Sequence, residues 1–191
     1  MHGIVIQVLG FGAIATLRLM KKLLAIMVLG LLWSGNAIAN SIERELLIKF
    51  DGLCVQNISN LKSIVEYAEL KKWTIIPPGK DALIAPQKKG PSYKSFGFIE
   101  NSLAFLIGIN DAENKNSCSI ATQYKSIADV KKILNEFYKI KLINSQNQGI
   151  QNLEIYEVDL MQSVNKGMIV LNFSNQKGYE FVSLTVMVSN E

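Results

Sequence analysis

The sequence predicts an α+β domain: a mostly antiparallel sheet of about five to six strands, with two helices packed on one face. Two segments repeat apolar residues at helical spacing, and several others show the apolar runs or the alternation typical of strands. The loops between successive strands near the end of the chain are short, which favours antiparallel pairing.

The helical segments are residues 59–72 and 126–140. In the first, Leu61, Ile64, Val65 and Ala68 repeat at the i, i+3, i+4, i+7 spacing of a buried stripe. The second begins with a capping box in which Ser126 precedes Asp129 by three residues. Its apolar stripe consists of Ile127, Val130, Ile133, Leu134 and Phe137. Both stripes predict amphipathic helices that lie on a sheet.

Strand patterns fall into two groups, one before and one after the second helix. Before both groups, the segment 43–53 opens the domain, with Leu46, Leu47, Ile48 and Phe50 as apolar anchors. The first group comprises Trp73–Ile76, the short apolar run Ala82–Ala85, Leu103–Ile109 and Cys118–Thr122. The second comprises Leu153–Leu160, Gly167–Phe173 and Phe181–Val188, and its last two members are joined by a hairpin-length loop that contains a glycine.

Residues 1–39 have the layout of an upstream extension followed by a secretory signal peptide. Lys21 and Lys22 precede an apolar run from Leu23 to Trp33, and small residues follow up to Ala39. We expect translation to start at Met20 and cleavage to follow Ala39, which leaves one α+β domain over residues 40–191. The apolar run is too short for a stable span, so a membrane anchor is the weaker alternative.

Removal of this leader changes the composition that matters for function. The leader holds three of the 20 basic residues, none of the 16 acidic ones and the only histidine. What remains is nearly neutral, with Arg44 as its single arginine, so nucleic acid is not an expected partner. Without histidine, Ser-His-Asp or Cys-His catalysis and histidine-ligated zinc are excluded. We expect no cofactor, no metal and no stable membrane span after cleavage.

Cys54 and Cys118 are the only cysteines, and both follow the predicted cleavage site. In an oxidising compartment two such residues are expected to pair, so we predict a structural disulfide and a periplasmic or secreted protein of a Gram-negative bacterium. A reactive thiol is the alternative, but the chain lacks a C-x-x-C pair and a histidine that could lower a thiol pKa.

A candidate binding loop lies within and just after the stretch from Pro77 to Pro91, which contains all four prolines of the chain. Proline and glycine rule out regular structure there, so we expect a stiffened surface loop. Lysines interleaved with aromatics could hold an anionic envelope ligand or the acidic edge of a periplasmic protein. The candidate residues are Lys88, Lys89, Tyr93, Lys94, Phe96 and Phe98. The alternative is a solvated connector whose aromatic residues belong to the next strand.

Glu157 and Asp159 are the candidate catalytic pair. At strand spacing they share one face about 7 Å apart, a distance at which two carboxylates can serve glycoside hydrolysis. A solvated strand face balanced by lysines explains the same pattern, so we assign no catalytic residue.

The overall layout resembles a known group. A signal peptide is followed by Cys54, by a helix in which Ala68 precedes Lys72-Trp73, and by Cys118-Ser119-Ile120 before a second helix. It is similar to small secreted two-cysteine proteins of proteobacteria, a group without an assigned function. The resemblance implies a periplasmic address and a disulfide, and it brings no catalytic residues.

These observations favour a small non-enzymatic domain, a binding or accessory module for an envelope component or a protein partner. An inhibitor or immunity-type protein that uses the proline-rich loop as its wedge is a variant of this class. The alternative function is a histidine-free hydrolase that uses Glu157 and Asp159. The sequence gives no indication of the oligomeric state.

Overall fold

The computed structural model describes residues 41–77, 93–112, 115–160, 167–174, 176–178 and 180–189. These residues belong to one unit that runs from Asn40 to Glu191. The predicted leader, with its start at Met20 and its cleavage after Ala39, lies outside the described residues, as do Lys88, Lys89 and the run Ala82–Ala85.

Eight strands form one antiparallel sheet in the described part of the chain. They are β1 (Thr74–Ile75), β2 (Lys94–Glu100), β3 (Leu103–Ala112), β4 (Lys115–Gln123), β5 (Ile140–Gln148), β6 (Gln151–Val158), β7 (Gly167–Ser174) and β8 (Phe181–Ser189). Their order is β1-β2-β3-β4-β8-β7-β6-β5. Two four-stranded meanders therefore meet at the β4–β8 pair, and β1 and β5 are the two edge strands.

In the same described ranges three α-helices accompany the sheet: α1 (Ile42–Lys49), α2 (Leu61–Leu70) and α3 (Ile127–Phe137). A π-helical turn, Phe50–Val55, continues α1. The side chain of Ser41 caps α1 by accepting a hydrogen bond from the amide of Arg44, and the predicted cap of α3 is confirmed because Ser126 accepts from the amide of Asp129.

The core lies between the helices and one face of the sheet, which we call the helix face. A row of buried apolar side chains crosses five adjacent strands on this face: Phe96, Ile107, Ile120, Leu184 and Leu171. The predicted disulfide is confirmed: Cys118 of β4 bonds to Cys54 of the π-helical turn. This bond fastens the helical layer to the middle of the sheet. We call the opposite side of the sheet the outer face.

The predicted fold class is wrong in its counts, because the described residues contain eight strands and three helices instead of five to six strands and two helices. Segment 42–49 forms a two-turn helix, too short to show a clear apolar period. Segment 140–148 is an edge strand whose side chains from Lys141 onward are exposed, so it needs no alternation. Lys94–Glu100, assigned largely to a loop, is a full strand.

Candidate binding cleft

The candidate site begins where α2 ends. Lys71 caps the helix, Lys72 adopts a left-handed backbone conformation with φ of 55°, and the amides of Lys72 and Trp73 donate to the carbonyls of Glu69 and Ala68. This is a Schellman motif in which lysine occupies the position that usually holds glycine. The turn reverses the chain abruptly, and it places Trp73 beside the sheet immediately before β1.

Trp73 is the centre of a stack of four aromatic rings on the helix face. Its ring stacks on Phe98 of β2 with centroids 4.1 Å apart and planes 12° from parallel. Phe98 stacks in turn on Phe105 of β3 at 5.2 Å, and Tyr67 of α2 meets Trp73 edge-on at 5.5 Å. Trp73 remains partly exposed while Phe105 is fully buried, so the stack runs from the surface into the core.

A cleft of about 690 Å3 lies next to this stack, and we call it the Trp73 cleft. β1 pairs only with Phe96 and Gly97, so among the described residues no strand pairs with the outer edge of β2 from Phe98 to Glu100. Residues from both faces of β2 line the cleft, which therefore follows this open edge. The lining comprises Tyr67, Lys71, Lys72, Trp73, Thr74, Gly97, Phe98, Ile99, Glu100, Ala104, Phe105 and Leu106.

The Trp73 cleft is lined by charged residues of both signs. Lys71 and Lys72 are exposed beside Trp73, and the ammonium group of Lys71 lies 5.6 Å from the centre of the Tyr67 ring. Glu100, the acidic residue of the lining, forms an ion pair with Lys49 of α1. The cleft therefore presents two exposed lysines together with aromatic and aliphatic side chains, including Ile99, which is 78% exposed.

The predicted binding residues are divided between this cleft and a smaller groove of about 180 Å3. Phe98 lines the Trp73 cleft, whereas Tyr93, Lys94 and Phe96 line the smaller groove with Ile75 and residues nearby. Phe96 and Phe98 are buried in the core, and Lys94 is exposed and lies 3.9 Å from Glu69. These residues belong to β2 or precede it directly, whereas Lys88 and Lys89 lie outside the described residues.

Sequence reasoning missed Tyr67, Lys71, Lys72 and Trp73 as members of a site. Tyr67 is exposed and Trp73 is partly buried. The signal that could have identified the cleft is the sequence Lys71-Lys72-Trp73 directly after an apolar stripe that ends at Ala68. The chain has to change direction after a helix that ends there, and this turn exposes the side chains that follow the helix.

The candidate carboxylates lie elsewhere. Glu157 is partly exposed on the outer face of β6, opposite Lys141 and Met168, and Asp159 is exposed just after the strand. Neither residue lines the Trp73 cleft or the smaller groove. No cluster of three or more histidine, cysteine, aspartate or glutamate side chains in the described ranges could hold a metal ion.

A neighbouring carboxylate, Glu154, has a clear structural role on the helix face. Its Oε1 atom lies 2.6 Å from the ammonium group of Lys131 on α3, and its other oxygen accepts a hydrogen bond from the hydroxyl of Tyr156. Burial, together with the hydrogen bond to this carboxylate and its charge, raises the pKa of the Tyr156 hydroxyl. These contacts hold α3 against β6 and leave Glu154 engaged within the core.

Glu43 is the most buried charged group in the described residues, with 3% of its surface exposed. Burial alone would raise its pKa, but hydrogen bonds from backbone amides act in the opposite direction, and the resulting pKa lies below the ordinary value. Its Oε1 atom accepts hydrogen bonds from the amides of Lys125 at 2.8 Å and Ser126 at 3.0 Å. Glu43 therefore ties the start of α1 to the start of α3.

Comparison with known proteins adds no relative: no family model, curated protein or solved structure matches the chain. The resemblance to secreted two-cysteine proteins therefore stays a prediction. Within the described residues, no helix is long and apolar enough to cross a membrane.

Proposed function

We propose that this chain is an exported, non-enzymatic binding module that holds a short extended segment of a protein partner in the Trp73 cleft. The compartment that the proposal implies is the periplasm of a Gram-negative bacterium or the exterior of its cell. The buried Cys54–Cys118 disulfide and the signal-like composition of residues 1–39 support this part of the proposal.

The observation that carries the proposal is the open edge of β2 beside an aromatic surface. An extended peptide can add to a sheet edge as a further strand, using its backbone groups for affinity and alternate side chains for specificity. β1 is only two residues long, so a peptide could continue its line along Phe98–Glu100. Ile99 and Trp73 would then contact apolar side chains of the peptide.

The charge of the lysines that line the cleft favours some of these peptides over others. Lys71 and Lys72 lie beside Trp73, so a segment with an acidic residue next to its apolar residues fits better than a basic one. An anionic envelope ligand would use the same two lysines but would not need the strand edge. Peptide and polyanion binding can therefore be separated by experiment.

Trp73 provides a direct readout because it is the only tryptophan outside residues 1–39. We expect extended acidic–apolar peptides from a synthetic library to change its fluorescence and to bind roughly tenfold more weakly to the Lys71→Glu/Lys72→Glu variant. Lys132→Glu, at an exposed position of α3, is the single-site control for introducing an acidic residue outside the cleft.

Three results would contradict the proposal. One is the absence of peptide binding, and another is equal binding by the cleft and control variants. The third is hydrolysis of a glycoside substrate that disappears in Glu157→Gln or Asp159→Asn while folding stays intact, because this result would support the hydrolase instead. If an anionic polysaccharide binds and no peptide does, the ligand of the cleft is an envelope component and not a protein partner.

A further inference from the structure

The far edge of the sheet is β5, and it is unusually open. Among the described residues this strand is hydrogen-bonded only to β6. Every side chain from Lys141 to Ile150 is exposed, including Leu142 and Ile143 at 51% each and Ile150 at 62%. From Leu142 to Leu153 the sequence contains no charged residue and no proline. We call the side of this strand that faces away from β6 the β5 edge.

Proteins normally protect such an edge. Charged side chains, prolines and very short edge strands prevent exposed backbone groups from pairing with another chain. The β5 edge has nine residues with a single charged side chain, Lys141, near its beginning. The lack of these protections indicates that the β5 edge is available for pairing.

We propose that the β5 edge pairs with the β5 edge of a second copy of the chain, antiparallel and about a two-fold axis. The register that we infer places Gln146 opposite Gln146 of the second copy. The pairing joins two eight-stranded sheets into one continuous sheet.

The register follows from the shape of the strand. The pairing of β5 with β6 shifts between Leu142 and Asn144, so a bulge lies near the start of the strand, and the regular part runs from Asn144 to Gln148. Gln146 is the centre of that regular part. Asn144 then faces Gln148 of the other copy, and the exposed Leu142 lies near the turn that follows β5 in the other copy.

The side chains of the regular part suit an identical partner. They are amides and one hydroxyl, each of which both donates and accepts hydrogen bonds, so identical side chains can pair across a two-fold axis. The row consists of Asn144, Ser145, Gln146, Asn147 and Gln148. A partner with its own strong charge pattern would find no complementary charge on this segment.

The position of Lys141 selects the antiparallel arrangement. In the proposed register Lys141 lies past the β5–β6 turn of the other copy, because β5 ends at Gln148. The two lysines lie about 33 Å apart along the paired strands, several times the screening length of physiological salt. Parallel in-register pairing would place the lysines side by side on neighbouring strands. The two-fold arrangement also uses up both β5 edges, so assembly stops at the dimer.

The contact is small, and we therefore expect a weak, reversible dimer. Pairing of one short strand buries less than the roughly 1,200 Å2 of a standard stable interface. Sedimentation velocity of the purified protein should show a monomer–dimer equilibrium that shifts toward the dimer with concentration. Gln146→Lys places two like charges opposite each other at the two-fold axis and should weaken the dimer roughly tenfold or more.

Gln123→Lys is the charge-matched control, because Gln123 is exposed at the end of β4, away from the β5 edge. A covalent trap tests the register. Residues directly opposite each other in an antiparallel pair have Cβ atoms about 5 Å apart, so oxidation of Gln146→Cys should give a disulfide-linked dimer. Gln176→Cys, in the exposed turn before β8, should not.

The proposal is overturned if the protein stays monomeric up to about 1 mM, a concentration at which even weak contacts associate. It is also overturned if Gln146→Lys and Gln123→Lys dimerise equally, or if the two cysteine variants cross-link to the same extent. Growth into larger oligomers would refute the closed two-fold arrangement. None of these outcomes depends on the Trp73 cleft.

Discussion

Loss of the disulfide should cost a large share of the stability of the domain. Cys54 lies in the π-helical turn that follows α1, and Cys118 lies in the middle of β4. Both residues are fully buried, and 64 positions separate them in the sequence. The perturbation is the double substitution Cys54→Ala/Cys118→Ala, which removes the bond without burying a polar group.

The expected magnitude follows from the loop that the bond closes. For a separation of 64 residues, the chain-entropy relation gives about 4 kcal/mol of stabilisation, because the unfolded chain loses that much conformational freedom. In a domain of this size each kcal/mol corresponds to roughly 2–4 °C in Tm, so Tm should fall by about 8–16 °C. The missing sulfur atoms also leave a small gap in the core, which adds to the loss.

Urea unfolding followed by circular dichroism measures this effect. Oxidised protein, protein with its disulfide reduced and the double variant should form a series in which the last two are similarly unstable. Dithiothreitol should leave the double variant unchanged, which controls for effects of the reductant itself. A loss of less than about 1 kcal/mol would contradict the loop-entropy argument. Two titratable thiols in the oxidised, folded protein would contradict the bond itself.

Three further predictions concern single residues. Because the pKa of Glu43 is lower in the folded chain, its contribution to stability is present above the ordinary value of 4.5 and is lost as the pH falls through the folded pKa. Glu43→Gln should therefore lower the urea midpoint at pH 7, and its difference from the wild type should shrink at pH 3; an equal deficit at both values would contradict this linkage. Tyr138→Phe removes a hydroxyl that donates to Asp51 at 2.6 Å and should cost about 1–2 kcal/mol, again measured by urea unfolding; no loss would mean that the bond contributes nothing. Gly149 has φ of 80° in the turn between β5 and β6, so Gly149→Ala should lower the free energy of unfolding by about 1 kcal/mol, measured as a lower Tm. Gly52→Ala is the control: this glycine is helical and has open space around it, so its substitution should not lower Tm.

Local periodicity was enough to predict two of the helices. The stripe of Leu61, Ile64 and Ala68 is buried in α2 as expected, and the capping box at Ser126 marks the observed start of α3. These elements carry their signal within one segment, because the apolar face of a helix repeats every few residues. The three strands from residue 151 onward could be predicted for the same reason, since Val182, Leu184 and Val186 alternate with outward-facing residues.

The elements that were missed lack this local signal. β5 is exposed on both faces, so no alternation selects its residues, and its strand conformation depends on pairing with β6. α1 has only eight residues, and its position depends on Glu43, whose partners Lys125 and Ser126 lie about eighty residues away. Long-range hydrogen bonds of this kind cannot be read from one sequence.

The predicted binding residues stay a prediction. Lysines and aromatic residues within and just after the proline-rich stretch indicated a binding surface, and one of them, Phe98, lines the Trp73 cleft. The cleft, however, needs Trp73 and Lys72 from the end of α2 to meet β2, and only the register of β1 with β2 brings them together. The end of α2 and the strand β2 show no cleft when each is considered alone, and they form one when β1 pairs with β2.

The order of the strands places the two proposed binding surfaces at opposite ends of the sheet. Because β4 and β8 pair in the middle, one edge belongs to the first meander and the other to the second. The Trp73 cleft is lined by residues between 67 and 74 and between 97 and 106, whereas the β5 edge depends on residues 140–148. No strand is shared between them, and the whole sheet separates them. A charge placed at Gln146 therefore leaves the aromatic stack intact, and a charge placed at Lys72 leaves β5 intact, so each surface can be altered without disturbing the other.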